Sequence, residues 1–280
     1  MPFFSLHSKI VFSLLIAAGC VSSLGAWTIR VLDLEATNKQ SNQYRQIDVI
    51  DGQGMTQFKA YLEAAGSTLE GGNLADYQSY RDAGTADAVI VNLPMGLSTG
   101  AGYSAAEIQV LQELMQSDVR VFLIGENSSW DATNQQICEE LWGLDSYVTG
   151  NGKTRDSAGF VAEESVSELM SGISKPIYLY EPGFVDFAGG GGQGEVLIGV
   201  DTKKDVVILG GENDNFLWTL DMNIVEGLQD GHPNYHNYVF AQNLAKWLGA
   251  PIPEPSTYAL GVGALALGCV LLRRRQQTRR

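Results

Sequence analysis

The sequence predicts an α/β domain: a mostly parallel sheet covered by helices on both faces, with a β-hairpin in its second half. Three observations carry this. Short apolar runs alternate with amphipathic stretches of helical period through the first 145 residues. Those runs, such as AVIVNL and VRVFLI, are continuous rather than alternating, as in strands buried on both faces. Two further apolar runs, at 195–200 and 205–209, are separated by only four residues, DTKK, which suits a hairpin.

The elements follow in order. Residues 27–34 (WTIRVLDL) read as the first strand. Residues 55–65 form a helix with Met55, Phe58, Tyr61 and Leu62 on one face and Gly66 as its stop. Residues 88–93 are a buried parallel strand. Ser104 and Glu107 have the spacing of a capping box and open a helix whose buried stripe is Ile108, Leu111, Leu114 and Met115. Residues 119–124 are the next strand, ended by Gly125. Thr133 and Gln136 then suggest a cap for a helix carrying Ile137, Leu141 and Trp142. Residues 175–180 form a strand, glycines 189–192 and Gly194 a loop, and 195–200 with 205–209 the hairpin. A last helix, from about 235 to 248, has Val239, Phe240, Leu244, Trp247 and Leu248 on its core side.

Both ends stand apart from this domain. Residues 1–26 have the form of an export signal: Lys9 in the first segment, the apolar run IVFSLLIAAGCVSSL, then small residues. A rival feature lies inside it, since Ala17-Ala18-Gly19-Cys20 has the outline of a lipidation site at Cys20. Residues 27–250 form the domain, and residues 251–280 a tail. In that tail Pro253-Glu254-Pro255 precedes an uncharged run, 258–272, and then Arg273, Arg274 and Arg275. Fifteen residues of helix span about 22 Å, short of a bilayer core of about 30 Å. The arginines belong on the cytoplasmic side, which leaves the domain outside. A membrane anchor with a proline-rich neck is the plain alternative.

The net charge is −14. Setting aside the six basic residues of the two ends and Glu254, residues 27–252 hold 12 basic and 31 acidic residues, a net of about −19. Such a surface repels nucleic acid and anionic lipid. Of three cysteines only Cys138 lies in the domain, so no internal disulfide can form.

The tail PEPSTYALGVGALALGCVLLRRR resembles the PEP-CTERM sorting signal of Gram-negative bacteria. That resemblance implies recognition by an exosortase, transient membrane anchoring, a cell-surface or matrix destination and a host that makes extracellular polysaccharide. The succession ADAVIVNLP, capped helix, VRVFLIGEN, helix ending LWG, GEVLIGVD, DVVILGG and NYVFAQNLAKWLG resembles the flavodoxin-like domain of class I glutamine amidotransferase relatives, in a non-catalytic form. In catalytic members a cysteine at a strand-to-helix elbow works with a histidine. Here that elbow is Gly125-Glu126-Asn127, and no cysteine stands in it.

No catalytic residue is assigned. Cys138 sits in a helix beside Glu139 and Glu140, a setting that disfavours a thiolate and suits a small buried residue. Ser128 and Ser129 follow the elbow without the G-x-S-x-G form. Glycines 189–192 lack the residues of a phosphate or dinucleotide loop, so no cofactor motif is present. Acidic loops in the second half suggest calcium, with Asp201, Asp205, Glu212 and Asp214 as ligands; a solvated acidic face is the simpler alternative. His232 and His236, with Pro233 between them, form a weaker transition-metal pair. Tyr44, Tyr77, Tyr80, Trp130 and Tyr147 lie near loops and are candidates for stacking on sugar rings. The expectation is an exported, surface-sorted, non-enzymatic binding or scaffold protein linked to polysaccharide. The competing expectation is an extracellular hydrolase of polysaccharide or peptide with an unlocated site.

Overall fold

The computed structural model describes residues 27–37, 39, 41, 44–93, 102–126, 131–144, 157–161, 168–180, 182–187, 194–201, 204–228, 231 and 234–249. The segments read above as an export signal, a lipidation site and a sorting tail lie outside the described residues, as do glycines 189–192, Ser128, Ser129, Trp130, Tyr147 and His232.

Among the described residues nine strands form one sheet: β1 (Trp27–Asp33), β2 (Ser67–Asn73), β3 (Ala88–Val91), β4 (Arg120–Ile124), β5 (Ser157–Val161), β6 (Ile177–Leu179), β7 (Gly194–Asp201), β8 (Lys204–Gly210) and β9 (Phe216–Thr219). Their order is β2-β1-β3-β4-β9-β8-β7-β5-β6. The first five in that order are mutually parallel. Only β8 and β5 run against the rest, so the sheet is mostly parallel with an antiparallel extension. The order β2-β1-β3-β4 followed by one more parallel strand is that of the flavodoxin-like sheet, with β9 in fifth place.

The helices are α1 (Tyr44–Ile47), α2 (Thr56–Ala64), α3 (Tyr77–Asp82), α4 (Ala105–Met115), α5 (Asp131–Glu140) and α6 (Asn237–Gly249). α2 packs against α6, and α6 reaches β1, β3 and β4 on the same face. α4 packs on β4, and Gln112 Nε2 donates to Glu140 O at 3.1 Å, which ties α4 to the end of α5.

Local chemistry explains most boundaries. α2 stops at Gly66, whose φ of +92° suits a residue without a Cβ. The capping box of α4 is complete: Ser104 Oγ accepts from Glu107 N–H, and Glu107 Oε2 accepts from Ser104 N–H. Thr133 does not cap α5; the helix starts two residues earlier and Thr133 is buried within it. Trp142, beyond the helix end, stacks on Trp218 of β9 at 6.3 Å and meets Phe187 edge-on at 5.3 Å. The hairpin β7–β8 forms with register shifts along β7.

Five elements stand outside the pattern read in the sequence: β2, β5, β9, α1 and α3. β2 is STLEGGN, with few apolar residues to signal it, yet it pairs with β1 along all seven positions. β9 is only FLWT, too short for periodicity to show, yet all four residues are buried between β4 and β8. α1, α3 and β5 are likewise unmarked in the sequence. Val239 and Met115 are only half-buried, at the edges of their helices' core faces.

Candidate functional site

In doubly wound sheets ligands bind at the carboxyl ends of the parallel strands, where the strand order reverses. Polar residues stand along that edge, among them four from neighbouring strand ends: Asp33 at the end of β1, Asn92 just past β3, Glu126 past β4 and Asp221 past β9. All four are buried. At the reversal between β1 and β3, Asn92 Nδ2 donates to Asp33 Oδ1 at 2.9 Å and to Asp48 Oδ1 at 3.0 Å. Lys39 Nζ lies 2.7 Å from Asp33 Oδ2. Burial pushes the Asp48 carboxyl up; hydrogen bonds from Ile50 and Asn92 oppose this, and the Asp33 charge adds to it.

The other two carboxylates brace backbone. Glu126 Oε2 accepts from Met222 N–H at 3.1 Å, and Asn134 Nδ2 donates to Glu126 O at 2.6 Å. Asp221 accepts from Tyr180 N–H at 2.6 Å and from Asn223 N–H and Nδ2 at 2.8 and 2.9 Å. Gly125, at the elbow, has no room for a side chain: a Cβ there would lie 2.6 Å from Thr219 O. The elbow therefore packs its glycine on β9 and turns its next residue, a carboxylate, into a tie to the segment after β9.

Cys138 is fully buried in α5. Burial, and then the Glu139 charge, push its thiol up to about 12, so it stays protonated at working pH. His236 Nδ1 accepts from Ser174 N–H at 3.1 Å, a bond that needs the neutral ring. Burial and then the Lys175 charge push its pKa down.

The acids suggested for calcium are spread out. Asp201 and Asp205 lie at one end of the hairpin, where Asp201 stands opposite Lys204 in the strand register. Asp205 is buried and its Oδ2 accepts from Phe187 N–H at 2.9 Å. Glu212 and Asp214 lie exposed beyond the other end of β8, roughly 20 Å away at about 3.3 Å per strand residue. The stretch GENDN is a turn: Gly211 and Asp214 have φ of +87° and +50°, and Asn213 Nδ2 donates to Asp118. Among the described residues no group of three or more His, Cys, Asp or Glu could hold a metal ion.

The aromatic residues also sort differently. Tyr77 is buried at 2% exposure. Tyr80 lies under the Arg30 guanidinium, 4.4 Å from its ring centre. The side chain of Tyr44 lies outside the described residues. Three other tyrosines, Tyr178, Tyr235 and Tyr238, line a cavity of about 220 Å³ together with Asn223, Glu226 and Asn237. Tyr178 and Tyr235 are 5.2 Å apart and tilted by 56°. Asn237, the first residue of α6, clamps the walls together. Its Oδ1 accepts from Tyr178 N–H at 2.7 Å, and its Nδ2 donates to Tyr178 O at 2.9 Å and Asn223 O at 3.4 Å. Glu226 is half-buried, burial pushes its carboxyl up, and no donor among the described residues reaches that carboxylate. The sequence gives Tyr178 to a strand and Tyr235 to a helix start; only the chain crossing from β6 to α6 brings them together.

Fold and strand edge together define a flavodoxin-like α/β domain with an antiparallel extension. Two solved structures share this fold. The mmIFT52 N-terminal domain is 11% identical, with a TM-score of 0.52 over 79% of this chain and 97% of that one. A putative ThuA-like protein from Bacteroides uniformis is 12% identical, with a TM-score of 0.50 over 81% of this chain and 93% of that one. At such identities the likeness is one of fold. No family model and no curated protein matches the chain.

Proposed function

We propose that this is an exported bacterial protein, directed by residues 1–26 and sorted to the surface by an exosortase acting on the tail from Pro253 to Arg275. Its domain is a non-enzymatic binding or scaffold component linked to extracellular polysaccharide, built on an amidotransferase-like fold. The observation that carries the non-enzymatic part is the elbow. The position that holds a nucleophile in catalytic relatives is occupied here by Gly125 and Glu126, and the Glu126 carboxylate is committed to Met222 N–H. Cys138, buried and protonated, supports the same reading. The sorting part rests on the order of motif, apolar run and arginines in the tail.

The test is expression of the full chain and of a variant lacking residues 253–280 in a host with an exosortase, followed by fractionation. The full chain should reach the surface or matrix, and the variant should be released or held elsewhere. Identical distributions would overturn the sorting assignment. Release of reducing ends or peptides from the host's matrix by the purified full chain would overturn the non-enzymatic assignment.

A further inference from the structure

We propose that the cavity walled by Tyr178, Tyr235 and Tyr238 is a subsite for one neutral sugar ring; this rests on the polysaccharide reading and supplies its chemical contact. A tyrosine offers an apolar ring face and a polar tip, which matches a pyranose with C–H faces and a rim of hydroxyls. About 220 Å³ is below the roughly 300–1,000 Å³ of pockets for drug-sized ligands, and so fits a single ring rather than an extended chain.

The polar groups narrow the choice. Glu226 presents an acceptor that no described donor satisfies, and hydroxyl groups are donors that bind a carboxylate in short, charge-assisted bonds. An anionic ring would meet Glu226, with Asp221 close enough for their charges to interact. A cationic ligand would be drawn by Glu226 but would face the start of α6, where the helix carries about half a positive charge. A neutral polyol meets neither obstacle. The walls of the site are also tied to one another. Asn237 ties β6 to the turn after β9, and Gly227 N–H donates to Gly54 O at 2.9 Å. A Cβ at Gly54 would lie 2.9 Å from Gln46 O and also crowd Glu226, which suits a glycine there. Walls tied together lower the ordering cost of binding.

The experiment titrates the full chain with glucose, galactose, mannose and N-acetylglucosamine, and with glucuronate, glucosamine and choline as charged controls. Binding is read by calorimetry. At least one neutral sugar should bind in the millimolar range and more tightly than any charged control. Glu226→Gln should weaken it about tenfold or more, as loss of a charge-assisted bond does, and Tyr235→Ala should weaken it at least as much. Circular dichroism checks folding; if Tyr235→Ala does not fold, Glu226→Gln decides. Binding to extracellular polysaccharide purified from the producing strain is measured in parallel. If wild type and both variants bind polysaccharide alike, the subsite is refuted and the polysaccharide reading stands. If the protein binds neither polysaccharide nor any neutral sugar, both are refuted. Preference for choline or glucosamine would replace the neutral sugar with a cation and overturn the proposal.

Discussion

Asp221 has no exposed surface and accepts three hydrogen bonds, yet burial raises its carboxyl to about 7; the Asn223 and Tyr180 bonds oppose that rise and the Glu226 charge adds to it. An acid raised in the folded state costs nothing while both states are protonated, below about pH 4. The cost grows as pH rises from about 4 to about 7 and is complete above that. Over the three units it amounts to a few kcal/mol in order of magnitude. Asp221→Asn removes the ionisation. It also sets an amide donor against Tyr180 N–H, a penalty that does not depend on pH. The variant should therefore gain on wild type by several degrees of Tm as pH rises from about 4 to about 7, whatever its offset at pH 4. Parallel Tm curves for the two proteins across that window would show that Asp221 does not titrate there.

At the scale of elements, α4 shows how one residue can serve two contacts. Glu107 Oε2 completes the capping box, while its Oε1 accepts from Glu35 N–H at 2.9 Å, joining the helix to the chain after β1. Ser104→Ala should cost about 1 kcal/mol, the usual loss of a cap. Glu107→Ala should cost more, about 2–3 kcal/mol, because two backbone donors lose a partner at once. Urea denaturation measures both; equal costs would mean the Glu35 contact contributes nothing. This capping box was legible in the sequence because its residues and its geometry are both local. The apolar runs of β1, β3 and β4 were legible for the same reason. β2 was not, since an edge strand with two glycines takes its form from pairing with β1 rather than from its own side chains. β9 was not, since four residues carry no period. The candidate pocket was the least legible part: its tyrosines come from β6, the segment before α6 and α6 itself. The tyrosines that local sequence favoured were instead used in packing, Tyr77 in the core and Tyr80 under Arg30.

Over the whole molecule, α6 closes the domain. It lies on β1, β3 and β4, and buries Phe240, Leu244, Trp247 and Leu248. Trp27 Nε1, at the start of β1, donates to Leu248 O at 2.7 Å. The Arg120 guanidinium donates to Trp247 O and lies 5.3 Å from that indole's centre. First strand, central strand and α6 thus meet at one corner, and among the described residues the contacts that form it run to residue 249. A chain ending at residue 252 should keep the Tm and protease resistance of the domain in the full chain. A chain ending at residue 236 should not fold. Four large apolar side chains at about 1.5–3 kcal/mol each contribute about 6–12 kcal/mol, comparable with the entire stability of a typical domain, about 5–15 kcal/mol. Far-ultraviolet circular dichroism and limited proteolysis of the two truncations distinguish the outcomes. A cooperative melt in the shorter chain would show that α6 is an appendage, and loss of structure in the longer one would show that the tail belongs to the core.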